Sequence, residues 1–335
     1  MNIPLSRRRF LAISAVVAGG VILPFALNRR TENPKTDEAD PFVWKGIALG
    51  SGAQLRLYHV SRRQADDLVN KALAEVARLE KIFSLYRDDS LIVQLNREGR
   101  LNNPPQDLLA LLSISQEVYR LTQGAFDPSI QPLWNFYADY FRRHPNTDKP
   151  PAQAEMNQVL QRVGFDKVEF DDTFVRFHGQ GMGLSFNGIA QGYITDKVVE
   201  LLQKNGVEQA LVDMGEIRGL DTRGERAWQV GIRDPQNEQG VLLNVPLQNE
   251  GFATSGGYGT VMDEAGKFTH LFDPRSGVST PRYRSMSVMA PTAVLADAFA
   301  TAFSVMPQDE IRQAAQAKRA KVWLVMPDNE IKIIE

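Results

Sequence analysis

Asp297 and Thr301 stand four residues apart in the alanine-rich stretch Ala296-Asp297-Ala298-Phe299-Ala300-Thr301. On a helix that spacing makes them neighbours. A carboxylate and a hydroxyl one turn apart can both reach one Mg²⁺, which takes one or two protein oxygens and completes its shell with water and phosphate. The plain alternative is an Asp facing water and a Thr hydroxyl bonded back to its own i−4 carbonyl. Two earlier stretches carry similar groups: Ala253-Thr254-Ser255-Gly256, and His270-Leu271-Phe272-Asp273-Pro274-Arg275-Ser276-Gly277. Together the three bring oxygen, hydroxyl and imidazole groups beside glycines or a helix face. That is the equipment needed to hold a hard cation against phosphate.

The elements that must position these groups are legible in outline. Ala53 to Tyr58 alternates like a strand. Ala65 to Phe83 has the spacing of an amphipathic helix. Leu108 to Thr122 reads the same way and stops at Gly124. Gly188 to Leu202 is expected to be a helix ended by Gly206, followed by a buried strand and turn over Gln209 to Gly215. Trp228 to Ile232 and Val241 to Leu247 read as strands around a polar turn, and Ser285 to Met289 as a strand. That last strand feeds a helix from Pro291 to Met306, with the proline in its first turn. Lys321 to Met326 and Ile331 to Ile334 close the chain as a hairpin. Thr254 to Gly257 is expected to form a flexible turn whose hydroxyls and N–H groups face phosphate, or else an ordinary hairpin turn. Helices mixed with antiparallel pairs give an α+β class rather than a doubly wound sheet.

The 335 residues, 43% hydrophobic and 23% charged, allow a substantial core in one large domain or two ordinary ones. A net charge of −2 with no basic stripe beyond the first 30 residues argues against a nucleic-acid partner. The absence of cysteine excludes disulfides, thiolate metal sites, a cysteine nucleophile and a lipobox anchor. At the N-terminus, Ser6-Arg7-Arg8-Arg9-Phe10-Leu11 opens an uncharged apolar run that ends at Leu27, before Arg29-Arg30. Paired arginines before a modestly apolar run match a twin-arginine export signal over residues 1–30. A linker follows over residues 31–41, and a single domain over residues 42–335. No clean Ala-x-Ala site follows the run, so a tether to the membrane stays open. The location implied is periplasmic or extracytoplasmic.

Ordered along the chain, Tyr86-Arg87-Asp88-Asp89-Ser90 with Asn96, Gly124-Ala125-Phe126-Asp127-Pro128 with Pro132-Leu133-Trp134, Asn187 to Tyr193 with Asp196, and Leu211 to Gly215 precede the three stretches described first. This series resembles the ApbE family of FAD:protein FMN transferases, from about residue 47 to the C-terminus. The resemblance implies a T-fold-like single catalytic domain of mixed, largely antiparallel sheets with packed helices. It implies Mg²⁺ held by the backbone carbonyl of Ala190 with Asp297 and Thr301. It implies FAD, as substrate, held by Tyr86, Ala125, Phe126, Asp127, Asn187, Gln191 and Phe272, with Thr254 and Ser255 facing its phosphates. FMN would pass to a threonine or serine hydroxyl of a membrane flavoprotein, with AMP released. His270 is the candidate base for that hydroxyl, since an unperturbed imidazole titrates near neutrality; Asp273 accompanies it. The alternative for His270 is a histidine bonded to a neighbouring carbonyl.

The chain departs from the family pattern in places. Ser185, Asn187 and Gln191 stand where Asp, Gly and Lys are usual, Glu216 replaces the second glycine of the turn after Val212, and Ala300 replaces an Asp found in some members. Asn187, Gln191 and Glu216 together resemble the NosX-like subgroup linked to nitrous-oxide respiration, whose acceptor would be a nitrous-oxide reductase maturation protein. Ser185 and the missing cationic contact at Gln191 give weight to a rival reading, an FAD carrier or assembly factor that performs no transfer. Hydrolysis of FAD to FMN and AMP is a further enzymatic alternative. Trp134, Phe136, Tyr137, Tyr140 and Phe141 form an aromatic cluster suited to a flavin ring, to core packing or to a partner surface. No P-loop, no dinucleotide fingerprint around Gly179, Gly181 and Gly183, no Gly-x-Ser-x-Gly elbow and no His-Glu-x-x-His helix is present.

Overall fold

The computed structural model of the chain describes residues 40–279 and 282–335. The twin-arginine segment and nearly all of the linker fall in residues 1–39, outside the described residues. The first half runs β1 (Phe42–Ala48), β2 (Ser51–Leu57), α1 (Arg62–Phe83), α2 (Leu91–Glu98), β3 (Arg100–Asn102), α3 (Gln106–Leu121), α4 (Gln131–Arg143), α5 (Gln153–Leu160), β4 (Val168–Phe170) and β5 (Phe174–Phe177). Then come α6 (Ala190–Lys204), β6 (Gln209–Asp213), β7 (Ile217–Asp221), β8 (Trp228–Asp234), β9 (Asn237–Leu247), β10 (Gly251–Gly256), β11 (Ser285–Ala290), α7 (Ala293–Phe303), α8 (Gln308–Ala317), β12 (Lys321–Val325) and β13 (Ile331–Ile334).

Eight strands form one sheet in the order β1-β2-β6-β7-β10-β11-β12-β13, antiparallel at every step. Side chains alternate across a strand, and both faces of this sheet are apolar. Ala210, Val212, Ala253, Val322 and Leu324 point into the main core beneath α1, α6 and α7. Their neighbours Leu211, Phe252 and Trp323 point the other way and pack with Trp228, Val230, Ile232 and Val245 of the β8–β9 hairpin. The expected α+β class with antiparallel sheets is therefore the observed one. Two smaller sheets, β3-β5-β4 and β8-β9, complete it.

α1 forms where its periodicity predicts, opened by Ser61, whose hydroxyl accepts the Gln64 N–H at 3.3 Å. It buries Leu68, Val69, Val76, Leu79, Ile82 and Phe83 along one stripe. α7 begins two residues later than expected. Thr292 is its cap and Pro291 lies outside the first turn, because Asp196 reaches in to accept the N–H groups of Ala293 and Val294 at 3.0 and 2.9 Å. Asp196 is itself held by Arg218 at 2.6 Å. Small residues let α7 lie against α6 and β10: a Cβ at Gly192 or Gly251 would collide with main-chain atoms of Ala293. Thr254 to Gly256, expected as a turn, is instead the end of β10, an interior strand paired with β7 and β11. The turn falls one step later, at Gly257–Gly259.

Candidate functional site

A cavity of about 460 Å³ opens where the tip of the β1–β2 hairpin, the end of α1, the start of α6, the end of β10 and the middle of α7 converge. Every site residue expected from the sequence except Asp273 lines it: Tyr86, Ala125, Phe126, Asp127, Asn187, Ala190, Gln191, Thr254, Ser255, His270, Phe272, Asp297 and Thr301. Asp273 lies outside the lining. Its carboxylate accepts the main-chain N–H of Arg275 at 3.0 Å and its guanidinium at 2.9 and 3.0 Å, so it shapes the 273–277 turn.

The α6–α7 corner of the cavity is rich in oxygen. Asp297 accepts the Gly192 N–H at 2.9 Å, and the Thr301 hydroxyl lies 3.5 Å from the Gly188 carbonyl. These two contacts hold the 188–192 main chain, which includes Ala190, against the part of α7 that carries both side chains. Burial raises the Asp297 pKa, the Gly192 N–H opposes the rise, and the charge of Asp196 adds to it. Just behind lie Glu216 and Asp213. Burial pushes Asp213 up to about 7 against the Gly215 N–H and the charge of Arg233. Glu216 is raised well above the usual carboxylate range by burial, then by the charges of Asp297 and Asp213.

Two buried oxygens at this corner, Gln191 Oε1 and Glu216 Oε2, have no hydrogen-bond partner. Acceptors thus outnumber donors, which is the donor set of a hard cation such as Mg²⁺. The residues present fit that group. Among the described residues no set of three or more His, Cys, Asp or Glu side chains is arranged to hold a metal. A site here therefore depends on neutral oxygens beside carboxylate.

His270 lines the cavity and its Nδ1 lies 3.1 Å from the Thr260 carbonyl. A carbonyl only accepts, so Nδ1 carries the proton and Nε2 the lone pair. Burial lowers the His270 pKa and the Thr260 contact only partly offsets it, which favours the neutral ring. The sequence offered a base or a histidine bonded to a carbonyl; the bond to a carbonyl is present, and it leaves Nε2 as the ring nitrogen able to accept a proton.

Other walls are built for shape. Asp127 caps the turn at Pro128–Ile130 by accepting from Ser129 N–H and Oγ at 2.7 and 2.6 Å, and from Phe165 N–H at 3.1 Å. Burial nevertheless pushes it up to about 6. The Thr254 hydroxyl pairs with Ser287 across β10 and β11 at 2.8 Å, so it braces the strand. Tyr86, 51% exposed at the mouth, accepts a hydrogen bond from Asn187 at 3.2 Å. Of the aromatic cluster on α4, only Trp134 reaches the cavity. Tyr137 and Phe141 instead pack with Phe268 and Phe272, the Tyr137 and Phe272 rings 4.8 Å apart.

Sequence reasoning gave no role to the residues that hold these walls, although Asn96 stood within a recognised motif. Asn96 donates to the Leu184 carbonyl at 2.8 Å and accepts its N–H at 2.7 Å, fixing the strandless segment that leads to Ser185 and Asn187. Ser287 and the Thr260 carbonyl were likewise unforeseen. Local spacing assigns none of them a role, because each acts on a residue outside its own turn: Asn96 on Leu184, Ser287 on Thr254 and Thr260 on His270.

Fold and site together define an α+β protein with one cavity of about 460 Å³, lined at one corner by oxygen and also by the His270 imidazole. The chain belongs to the ApbE family, whose sequence pattern matches residues 49–325. It is 32% identical over 287 residues to the FAD:protein FMN transferase of Treponema pallidum (strain Nichols), covering 78% of this chain and 77% of that protein. It is 29% identical over 258 residues to the FAD:protein FMN transferase of Haemophilus influenzae, covering 72% of this chain and 73% of that protein. The crystal structure of the flavinyl transferase ApbE of Pseudomonas stutzeri, apo form, shares the fold with a TM-score of 0.75 at 21% identity, over 90% of this chain and 98% of that one.

Proposed function

We propose that this protein is an enzyme, an FAD:protein FMN transferase that moves FMN from FAD to a threonine or serine hydroxyl of an extracytoplasmic flavoprotein domain. The observation that carries the reading is one cavity lined by Asp297, Thr301, Ala190 and His270 together. Asp297, Thr301 and the Ala190 carbonyl are the groups that would hold Mg²⁺. When bound, the ion neutralises the diphosphate and makes AMP a better leaving group.

The remaining work falls to the protein's own residues. Phe126, Phe272 and Trp134 offer apolar walls to the flavin ring, and Tyr86 with Asn187 borders the mouth. The acceptor hydroxyl forms a bond to the FMN-side phosphorus while the bond to AMP breaks and AMP leaves with the electron pair. The hydroxyl proton passes to His270 Nε2, which is free to take it because Nδ1–H faces Thr260. Asp127 and Thr254 hold their walls in place.

The twin-arginine pattern supports export and an acceptor on the far side of the cytoplasmic membrane, with residues 42–335 as the catalytic domain. Asn187, Gln191 and Glu216 support the NosX-like subgroup and an acceptor that serves nitrous-oxide respiration. Ser185 and Gln191, in place of an aspartate and a lysine, are the features that favour an FAD carrier instead. Incubation of the protein with FAD, Mg²⁺ and candidate membrane flavoproteins separates the readings. Mass spectrometry is expected to find FMN on the acceptor and one AMP per adduct. A carrier yields neither, and AMP without adduct marks a hydrolase.

A further inference from the structure

Glu216 occupies an unusual place for a charged side chain. It follows Gly215, at φ +107°, in the turn between β6 and β7 and is 1% exposed. The Thr254 N–H bonds its carboxylate, but Oε2 has no partner. The charges acting on it are those of Asp297 and then Asp213, both of its own sign. A buried carboxylate in that company is unfavourable as an anion unless it keeps a proton or something positive joins it. Gln191, 9% exposed, points its amide at the same turn. A Cβ at Gly215 would stand 2.5 Å from Gln191 Nε2, and Oε1 is unpartnered. Relative to the ApbE pattern, with Lys and Gly at 191 and 216, this corner has one positive charge fewer and one negative charge more.

We propose that Glu216 and Gln191 belong to the divalent-cation site, adding a second carboxylate and an amide oxygen beside Asp297, so that this protein binds the cation without FAD. The inference rests on the cation reading of Asp297 above and extends it to residues outside the family's ligand set. Two carboxylates neutralise a divalent ion, and the two unpartnered oxygens gain a partner. Asp213 stays outside the site: its Oδ1 takes the Gly215 N–H at 3.0 Å, and Asp297 is not among the charges acting on it.

The test is Mn²⁺ titration of the full protein without FAD, followed by electron paramagnetic resonance. Wild type is expected to bind one Mn²⁺, Glu216→Gln to weaken it by about 10–100-fold, Asp213→Asn to change it little, and Asp297→Asn to abolish it. Gln191→Lys, on the cavity side, is expected to weaken it comparably and serves if Glu216→Gln does not fold. Wild-type affinity in either Glu216→Gln or Gln191→Lys overturns the proposal. So does an equal loss in Asp213→Asn, which would reduce the effect to distant charge. No Mn²⁺ binding by wild type overturns it too, while AMP release with FAD and Mg²⁺ would still uphold the transferase. Undiminished binding in Asp297→Asn sinks the parent reading of the corner.

Discussion

The carboxylate of Asp297 accepts the main-chain N–H of Gly192 at 2.9 Å, a bond between residues 105 apart in sequence. It locks the middle of α7 to the first turn of α6 and sets the distance between the carboxylate and the main chain at Ala190. The same bond makes structural and chemical roles separable at this residue.

Asp297→Asn keeps an oxygen for the Gly192 N–H and removes the charge. It is expected to melt near wild type and to lose at least about 10–100-fold in FMN transfer, the range seen even for outer partners of a metal. Asp297→Ala leaves a buried N–H unsatisfied and is expected to cost about 1–3 kcal/mol of stability as well. Thermal unfolding alongside transfer assays distinguishes the two. An Asn variant with full activity removes Asp297 from the chemistry.

His270→Gln is expected to lower kcat by about 10²–10⁴. A base works when deprotonated, and burial holds the His270 pKa below 6.5. Transfer by wild type should therefore be flat above 6.5 and fall as pH drops through a lower value. A pH profile of kcat/KM checks this. A limb centred above 6.5, or one that persists in the variant, assigns the proton to another group.

Gly188→Ala probes Thr301 without touching it. The added Cβ would stand 2.7 Å from Thr301 Oγ1 and 2.9 Å from its Cγ2. The hydroxyl must move while the surrounding helices keep their packing. Transfer is expected to fall several-fold with little change in melting temperature, and added Mg²⁺ to restore part of it. Unchanged transfer at low Mg²⁺ would show that the Thr301 position is immaterial.

Asn96→Asp tests the wall between α2 and the Ser185–Asn187 segment. The carboxylate keeps the Leu184 N–H bond but sets an oxygen against the Leu184 carbonyl in place of a donor. A stability loss of about 1–3 kcal/mol and a rise in KM for FAD larger than the fall in kcat are expected. Equal effects on both parameters would place Asn96 in the transition-state machinery instead.

The sequence alone determined the amphipathic helices, the buried strand before Gly215, the closing hairpin and the ordered motifs that assemble at one cavity. Those signals are local: apolar spacing, caps and short chemical patterns act over a few residues, as in α1 behind Ser61. It misread Thr254 to Gly256 as a turn because Gly-Phe-Ala-Thr-Ser-Gly has little strand character of its own. Only the flanking β7 and β11 make it an interior strand. Nor could spacing tell that Trp134 would face the cavity while Tyr137 and Phe141 packed on Phe272, that Asp273 would turn to Arg275, or that Asp196 would move the start of α7 past Pro291. Those outcomes, like the meeting of Glu216 with Asp297, depend on which distant groups share a low-dielectric space, and tertiary packing alone creates that space.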